Sequence, residues 1–414
     1  MKEEIIASLD HPHELEGLYR SHKSLFAQSF NAIYPEVKDR PIAQYWHERL
    51  NYKETAPANT TGLTWLSVVI ASLMAGLIAK LPAIFNINEE YFYSRNIGFV
   101  VFPILSAYFA WKNKFSVGKI AFLALAMLAG LVFINFLPDN HKSDSLILSC
   151  IHLLLFLWSM LGFAFAGDWR KKGSNRLDFL KYNGDLVVMT TLILIAGGIM
   201  SAVTIGLFSL IGIQIEQFYA QNVIVVGLAA APIVGTYLTQ TNPQLVGKVS
   251  PVIAKLFSPL VAVMLTIYLV AIVYAGKDPY NDREFLIIFN ALLIGVMTII
   301  FFSVAETAKS RLHIVQIWIL FVLSILTIIV NGVALSAIIF RIAEFGITPN
   351  RMAVVGGNAL IFINLVIVNL KLYQVLFRKS EINRVGQSIA AYLPVYVVWT
   401  IIVTFIFPLM FGFR

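Results

Sequence analysis

The chain has 414 residues, of which 58% are apolar or aromatic and only 13% are charged, and its net charge is +8. Soluble domains carry about 25% charged residues, so this composition excludes an ordinary soluble protein, and the abundance of large apolar side chains excludes a disordered one. A single cysteine, Cys150, excludes an internal disulfide framework. The composition is that of an integral membrane protein built from apolar helices.

The first 61 residues differ from the rest of the chain because they hold 16 of its 54 charged residues. Apolar residues recur there at helical spacing over 12–34, which predicts an amphipathic helix ended by Pro35, with a second short helix after it. A small, polar, proline-containing run then indicates a linker. We therefore predict a cytosolic helical segment over residues 1–58 and a transmembrane helical domain over residues 59–414.

Long apolar runs separated by short polar gaps fill the remainder of the chain. A helix needs about 20 apolar residues to cross the roughly 30 Å hydrocarbon layer of a bilayer. By this criterion the fold class is all-α, a polytopic transmembrane helix bundle of about eleven spans. The predicted spans are 62–81, 97–111, 117–137, 145–167, 185–212, 219–239, 251–276, 285–305, 313–340, 352–374 and 388–412.

The distribution of Lys and Arg predicts the orientation of the chain. If the N-terminus is inside, the inner segments carry 20 Lys/Arg and the outer segments carry 7. Positively charged loops resist translocation, so this bias favours a cytoplasmic N-terminus. Anchoring of the inner loops against anionic lipid explains the basic net charge, so the sequence predicts the lipid bilayer as a partner and no nucleic acid.

Neutral polar residues share helix faces inside the predicted spans. Thr190, Ser201 and Thr204 fall on one face of the fifth span, and Ser324, Thr327 and Asn331 fall on one face of the ninth. Such residues indicate either hydrogen bonding between packed helices or a polar cavity lined by the fifth, eighth, ninth and tenth spans. The predicted substrate-binding residues are Thr190, Ser201, Thr204, Asn290, Ser324, Thr327, Asn331 and Asn358.

The spans lack a centrally placed Asp or Glu. Proton-coupled carriers use deep titratable groups, so the sequence disfavours coupling through an acid. Sodium coupling stays open, because backbone carbonyls and neutral side-chain oxygens can hold that ion.

A polar turn is predicted between the ninth and tenth spans. Gly346 suits the position after a helix end, Thr348 suits an N-cap, and Pro349 suits the first position of a helix. Three charged residues, Arg341, Glu344 and Arg351, form a predicted outer charged cluster around this turn. They are expected either to bind an anionic group or to close a salt bridge.

The sequence contains no phosphate-binding loop and no nucleophile-elbow, zinc-protease or Cys-x-x-Cys pattern. Four histidines lie in the N-terminal segment at spacings that match no zinc site. We therefore predict no metal and no cofactor, and the sequence favours a protein that is not an enzyme.

The segment Glu344-Phe-Gly-Ile-Thr-Pro-Asn-Arg351, followed by an Asn-rich apolar span, resembles the bacterial membrane family catalogued as domain of unknown function 4153. The N-terminal phrases Leu18-Tyr19-Arg20 and Ile33-Tyr34-Pro35-Glu36 are similar to those that precede the membrane part in Bacteroidota members. The resemblance implies a multi-pass protein of the bacterial inner membrane. It implies no activity and no catalytic residues.

Three functions are compatible with these features. The first is a carrier or permease for a small solute, which requires a water-accessible cavity that touches Ser201, Thr204, Asn331 or Asn358. The second is a scaffold that recruits a cytosolic protein partner through residues 12–50. The third, which the sequence favours least, is a lipid-acting enzyme that uses the outer charged cluster. The sequence indicates no particular oligomeric state.

Overall fold

A computed structural model of the chain describes residues 1–51, 65–140, 142–167, 174–210, 213–242, 256–267, 269–270, 274, 283–307, 314–378 and 380–413. All regular elements in these ranges are helices. The chain divides into two compact units, Met1–Gly62 and Leu63–Arg414.

The N-terminal unit consists of four short helices around an aromatic core. Phe26 and Tyr19 contact the ring of Trp46, with centroids 5.1 and 5.2 Å away, and bury it almost completely. Aromatic pairs at such distances stabilise a small core beyond the area that they bury. The helices are α1 (Lys2–Ala7), α2 (Pro12–Ser21), α3 (Lys23–Val37) and α4 (Pro41–Asn51).

The helix predicted over 12–34 is interrupted, because the backbone at His22 leaves the helical region (φ −145°, ψ 63°). The break separates α2 from α3 and allows both helices to cover Trp46. Pro35 does not end α3, which continues to Val37. A proline so close to a helix end removes only one backbone hydrogen bond of the last turn.

Glu16 connects two helices of this unit. Its carboxylate accepts hydrogen bonds from Arg20 on α2 and from Arg49 on α4, each at 2.9 Å. The hydrogen bond from Arg20, followed by that from Arg49, lowers the pKa of Glu16 below its ordinary value. One of the histidines of this unit, His47, stacks on Tyr34 with a centroid distance of 3.6 Å.

The second unit contains the apolar helices. They are α5 (Trp65–Ala79), α6 (Leu81–Phe85), α7 (Glu89–Lys112), α8 (Val117–Phe136), α9 (Asp144–Ala166), α10 (Ser174–Leu210), α11 (Glu216–Thr241), α12 (Leu256–Ile267), α13 (Arg283–Thr307), α14 (Ile314–Phe345), α15 (Pro349–Arg378) and α16 (Asn383–Met410). Single π-helical turns interrupt α11 at Ala220–Ile224 and α16 at Ile402–Ile406.

Within the described residues, seven helices are long and apolar enough to cross a membrane, namely α8, α9, α10, α11, α14, α15 and α16. This identifies a multi-pass membrane protein. Shorter apolar helices lie at α5, at α12 and over Leu292–Ala305 of α13. Each of the eleven predicted spans overlaps a helix, but the number of eleven crossings and the cytoplasmic N-terminus remain predictions.

Among the described residues, the membrane unit has two large hydrophobic cores and a small cluster around Val403 and Phe407 of α16. We call the first core the one formed by α5, α7, α8, α9, α11 and the start of α10, with Phe109 and Leu157 fully buried in it. We call the second core the one formed by α12 to α16 with Leu180 of α10, and Leu323 and Leu365 are fully buried there. Trp158 on α9 packs against both cores.

Helices of the second core approach closely at a glycine. A Cβ atom on Gly356 of α15 would lie 2.0 Å from the ring of Trp399 on α16, so only glycine leaves room for that ring. The next residue, Gly357, has no such neighbour, since a Cβ atom there would lie 3.9 Å from the nearest Trp399 atom. The ring of Trp399 thus fixes where α15 and α16 meet.

The turn between α14 and α15 has the structure that its sequence predicts. α14 ends at Phe345, and Gly346 follows with a positive φ of 76°. The Thr348 hydroxyl accepts a hydrogen bond from the backbone N–H of Arg351, and Pro349 is the first residue of α15. This short turn makes α14 and α15 an antiparallel hairpin, the most extensive helix pair in the unit.

Candidate functional site

The polar face predicted on the ninth span is buried in the centre of the second core. Ser324, Thr327 and Asn331 of α14 have no exposed surface. They lie three and four residues apart, which places them along one face of the helix. That face meets α15, so the hairpin buries three polar side chains where apolar ones are the usual choice.

Three asparagines from three helices are linked by two hydrogen bonds, one to a backbone oxygen and one between side chains. The Asn331 Nδ2 donates to the backbone oxygen of Asn358 on α15 at 3.1 Å. The Asn358 Nδ2 then donates to the Asn290 Oδ1 of α13 at 2.8 Å. These bonds unite one predicted residue from each of the eighth, ninth and tenth spans.

Two further asparagines of α15 donate hydrogen bonds to side chains of neighbouring helices. The Asn369 Nδ2 donates to the Ser324 Oγ at 2.8 Å, which confirms the same antiparallel register as the Asn331–Asn358 bond. The Asn364 Nδ2 donates at 3.0 Å to the Tyr396 hydroxyl on α16. We call these residues the amide cluster: Asn290, Ser324, Thr327, Asn331, Asn358, Asn364, Asn369 and Tyr396. The sequence reasoning missed Tyr396, because nothing local distinguishes it from a packing tyrosine.

Two acceptor atoms of the amide cluster find no donor among the described residues. They are the Oδ1 atoms of Asn331 and Asn364, both in fully buried side chains. Leaving a buried polar atom unsatisfied costs about 1–3 kcal/mol, so each such atom in a folded protein requires an explanation. The Asn331 amide cannot simply be reversed, because the backbone oxygen of Asn358 accepts only from a donor.

The three predicted residues of the fifth span are placed away from the amide cluster. The hydroxyls of Ser201 and Thr204 donate to backbone oxygens of their own helix, α10, at 2.7 and 2.8 Å. None of the 18 consecutive residues that make up the most apolar part of α10 is buried. Thr190 instead packs against Gly235 of α11. A Cβ atom added to Gly235 would lie 2.8 Å from the Thr190 Oγ1.

The predicted outer charged cluster does not close as a salt bridge. Within the described residues, no ion pair joins Arg341, Glu344 or Arg351. Arg351 donates to the backbone oxygens of Phe345 and Gly346 at 2.8 and 2.7 Å. It therefore caps the C-terminal end of α14, a position where a cation is favourable.

A buried arginine in the first core was not identified as a polar site from the sequence. Arg95 of α7 is only 3% exposed, and its Nη1 donates to the backbone oxygens of Ile134 and Leu137 at 2.6 and 3.1 Å. Its Nη2 contacts Asp139 at 3.2 Å. Arg95 thus satisfies carbonyls at the C-terminal end of α8, which have no partner within that helix. The sequence signal for this placement is Asn88. Its side chain caps the N-terminus of α7, so Arg95 lies within that helix.

Beside Arg95, two asparagines form a reciprocal pair. The Asn96 Nδ2 donates to the Asn135 Oδ1 at 3.0 Å, and the Asn135 Nδ2 donates to the Asn96 Oδ1 at 2.8 Å. Each amide thereby satisfies the other, so this pair needs no further ligand.

No group of three or more His, Cys, Asp or Glu that could hold a metal ion occurs in the part of the chain that the structure describes. The comparisons with known proteins add no assignment. No protein-family model, no curated protein and no solved structure matches this chain.

Proposed function

We propose that this protein is a carrier or permease for a small solute, and that the amide cluster is its binding site. The observation that carries the proposal is the series Asn331–Asn358–Asn290, which joins three helices and leaves the Asn331 Oδ1 without a donor among the described residues. Asn331 lies near the middle of α14, and binding sites of carriers lie near the bilayer midplane.

The chemistry of the amide cluster favours a solute with N–H or O–H groups. Its side chains are carboxamides and hydroxyls, which recognise a solute by hydrogen bonds rather than by charge. Asn331 and Asn358 are buried in this conformation, so a solute reaches them only when the helices around them separate. The water-accessible cavity expected at Asn331 and Asn358 is therefore not open in this conformation, and the proposal requires a second conformation in which it opens.

The proposal includes a cellular location. The excess of Lys and Arg in alternate loops supports a cytoplasmic N-terminus. The resemblance of the segment 344–351 to the family of unknown function 4153 supports the bacterial inner membrane. Family membership and location belong to this proposal together with the transport activity.

Uptake into proteoliposomes tests the proposal. Vesicles that contain the protein are expected to take up at least one member of a panel of radiolabelled small neutral and zwitterionic solutes faster than protein-free vesicles. Asn331→Leu and Asn358→Leu should abolish this uptake, and Ser201→Ala, a matched polar change on α10, should leave it unchanged. Uptake that is identical in protein-free vesicles for all solutes, or unaffected by Asn331→Leu, contradicts the proposal.

The N-terminal unit favours a second candidate, a scaffold that recruits a cytosolic protein through residues 12–50. Leu25 is 50% exposed and Tyr45 is 74% exposed in that unit, so both side chains are accessible to a partner. A photo-crosslinking residue at position 45 should then capture one discrete partner in cells, and the same residue at the exposed position Glu48 should capture none. Absence of a specific product at position 45 contradicts the scaffold.

A further inference from the structure

The helix α16 contains two prolines, Pro394 and Pro408, and each interrupts its backbone hydrogen bonding. Pro394 has no N–H to donate to the oxygen of Ala390, which lies four residues earlier. That oxygen accepts a hydrogen bond from the Arg176 Nη1 of α10 at 3.1 Å instead. Backbone groups inside a bilayer must be satisfied within the protein, so a side chain of another helix replaces the bond that Pro394 removes.

The second proline leaves a break of the same kind. Pro408 cannot donate to the oxygen of Thr404, and the Ser149 hydroxyl of α9 donates to that oxygen at 2.9 Å. Both Ser149 and Thr404 are fully buried. The π-helical turn at Ile402–Ile406 lies at the same place, and prolines and π-turns are the usual causes of a kink in a helix. α16 therefore has two points at which its own hydrogen bonding is interrupted.

The stretch between the two breaks carries contacts of α16 with the amide cluster. The Tyr396 hydroxyl accepts a hydrogen bond from Asn364 of α15 at 3.0 Å. The ring of Trp399 fills the space at Gly356 of α15, two residues before Asn358. This stretch therefore covers α15 beside Asn358, which is only 4% exposed.

We propose that the stretch of α16 from Pro394 to Pro408 is the gate of the amide cluster. It bends at its two prolines, so that Tyr396 and Trp399 leave α15 and uncover Asn358. Bending at these points breaks no backbone bond to a proline, because proline has no N–H, whereas the proline-free helix α14 would lose bonds of its regular ladder. Discontinuous helices typically form the binding sites of carriers. This inference rests on the proposed function and identifies the element that opens its site.

Labelling of a cysteine at position 331 measures how often the amide cluster opens, because this position is fully buried in the closed conformation. The full-length Cys150→Ser/Asn331→Cys protein in vesicles is exposed to a membrane-impermeant maleimide. Pro394→Ala and Pro408→Ala each restore a backbone donor and stiffen α16. One hydrogen bond changes an equilibrium by a factor of roughly two to ten, so a protein that carries both changes should be labelled at least about fivefold more slowly.

Two further variants separate a gate from a general loss of stability. Ser149→Ala removes a bond that holds α16 in the closed conformation, so labelling at position 331 should be about twofold faster or more. Pro103→Ala replaces the proline inside α7, a helix of the first core, and should leave the labelling rate unchanged. General destabilisation would expose the cysteine and speed labelling in every variant, so it cannot produce the slower labelling expected when both prolines of α16 are replaced.

Equally fast labelling with and without the two prolines overturns the proposal, as does an absence of labelling in the protein that retains them. If the variant without these prolines fails to fold, Ser149→Ala decides the question, and an unchanged rate there overturns the gate. Solute uptake separates the two proposals. Labelling that depends on the prolines without uptake of any solute contradicts the carrier alone, whereas uptake with labelling that is insensitive to both prolines contradicts the gate alone.

Discussion

The two cores of the membrane unit differ in how their amide groups are satisfied. In the first core, Arg95 covers the carbonyls at the end of α8, and Asn96 and Asn135 satisfy each other. In the second core, the amides lie in the middle of long helices, and Asn331 and Asn364 keep acceptors without a described donor. The arrangement around Arg95 is complete and stabilises helix ends, whereas the amide cluster is incomplete and indicates a ligand.

The largest effect is expected from removal of the cap in the first core. Arg95→Ala leaves the oxygens of Ile134 and Leu137 buried without their donor. Hydrogen bonds to a charged group contribute about 1.5–3 kcal/mol each, so the free energy of unfolding should fall by roughly 3 kcal/mol or more. Chemical denaturation in detergent measures this loss. A decrease below about 1 kcal/mol would show that the cap is dispensable and would weaken the contrast between the cores.

The close approach of α15 to α16 provides the next test. Gly356→Ala forces the ring of Trp399 to move, and overpacking of this kind destabilises by about 1–3 kcal/mol. Gly357→Ala, one residue along, should change the stability little because its Cβ meets open space out to 3.9 Å. The double variant Gly356→Ala/Trp399→Leu should recover part of the loss. Equal stabilities of the two single variants would contradict the packing described for the second core.

A pair of matched amide substitutions compares the cores directly. Asn135→Leu leaves the buried amide of Asn96 without its partner and should cost about 1–3 kcal/mol. Asn331→Leu removes the hydrogen bond to the backbone oxygen of Asn358 and also removes a buried acceptor that has no described donor. These two effects oppose each other, so the net change in stability should be below about 1 kcal/mol in either direction. Both values come from the same unfolding assay. A large loss for Asn331→Leu would mean that the amide cluster serves packing rather than binding.

The smallest effect on stability is expected at Glu16, an exposed group of the N-terminal unit, and it serves as a reference for the buried groups of both cores. The lowered pKa of Glu16 means that its ion pairs stabilise the N-terminal unit above the ordinary pKa of about 4.5 and are lost as the pH falls through the lowered value. In hydrogen–deuterium exchange, the protection of peptides from 12–50, corrected for the pH dependence of intrinsic amide exchange, should therefore decrease slightly below pH 4.5. Glu16→Gln should remove this pH dependence, and an unchanged pH dependence in that variant would assign it to other carboxylates.

Features that depend on local chemistry could be predicted from the sequence. Gly346, Thr348 and Pro349 specify the α14–α15 turn by themselves, and the structure confirms each role. Helical periodicity also places Ser324 and Asn331 on one face, because the spacing of residues fixes which side chains share a face.

Features that depend on the packing of distant helices could not be predicted. Periodicity gives the polar face of α10 but not the neighbour of that face, so Ser201 and Thr204 are expected beside Asn331 and lie elsewhere. The bond from Asn364 to Tyr396 joins residues on different helices that nothing in the local sequence relates. The hydropathy pattern places the start of the second predicted span at residue 97, so Arg95 is predicted to lie outside it. In the structure, α7 begins at Glu89 and includes Arg95.

Cysteine labelling tests most directly whether the second core opens to solvent and the first does not. In a Cys150→Ser background, which has no other cysteine, a single cysteine is placed at position 331 or at position 96 and exposed to a membrane-impermeant maleimide in vesicles. We predict that the cysteine at 331 reacts and that the cysteine at 96 does not. A cysteine at 331 that reacts no faster than the one at 96 would contradict the account.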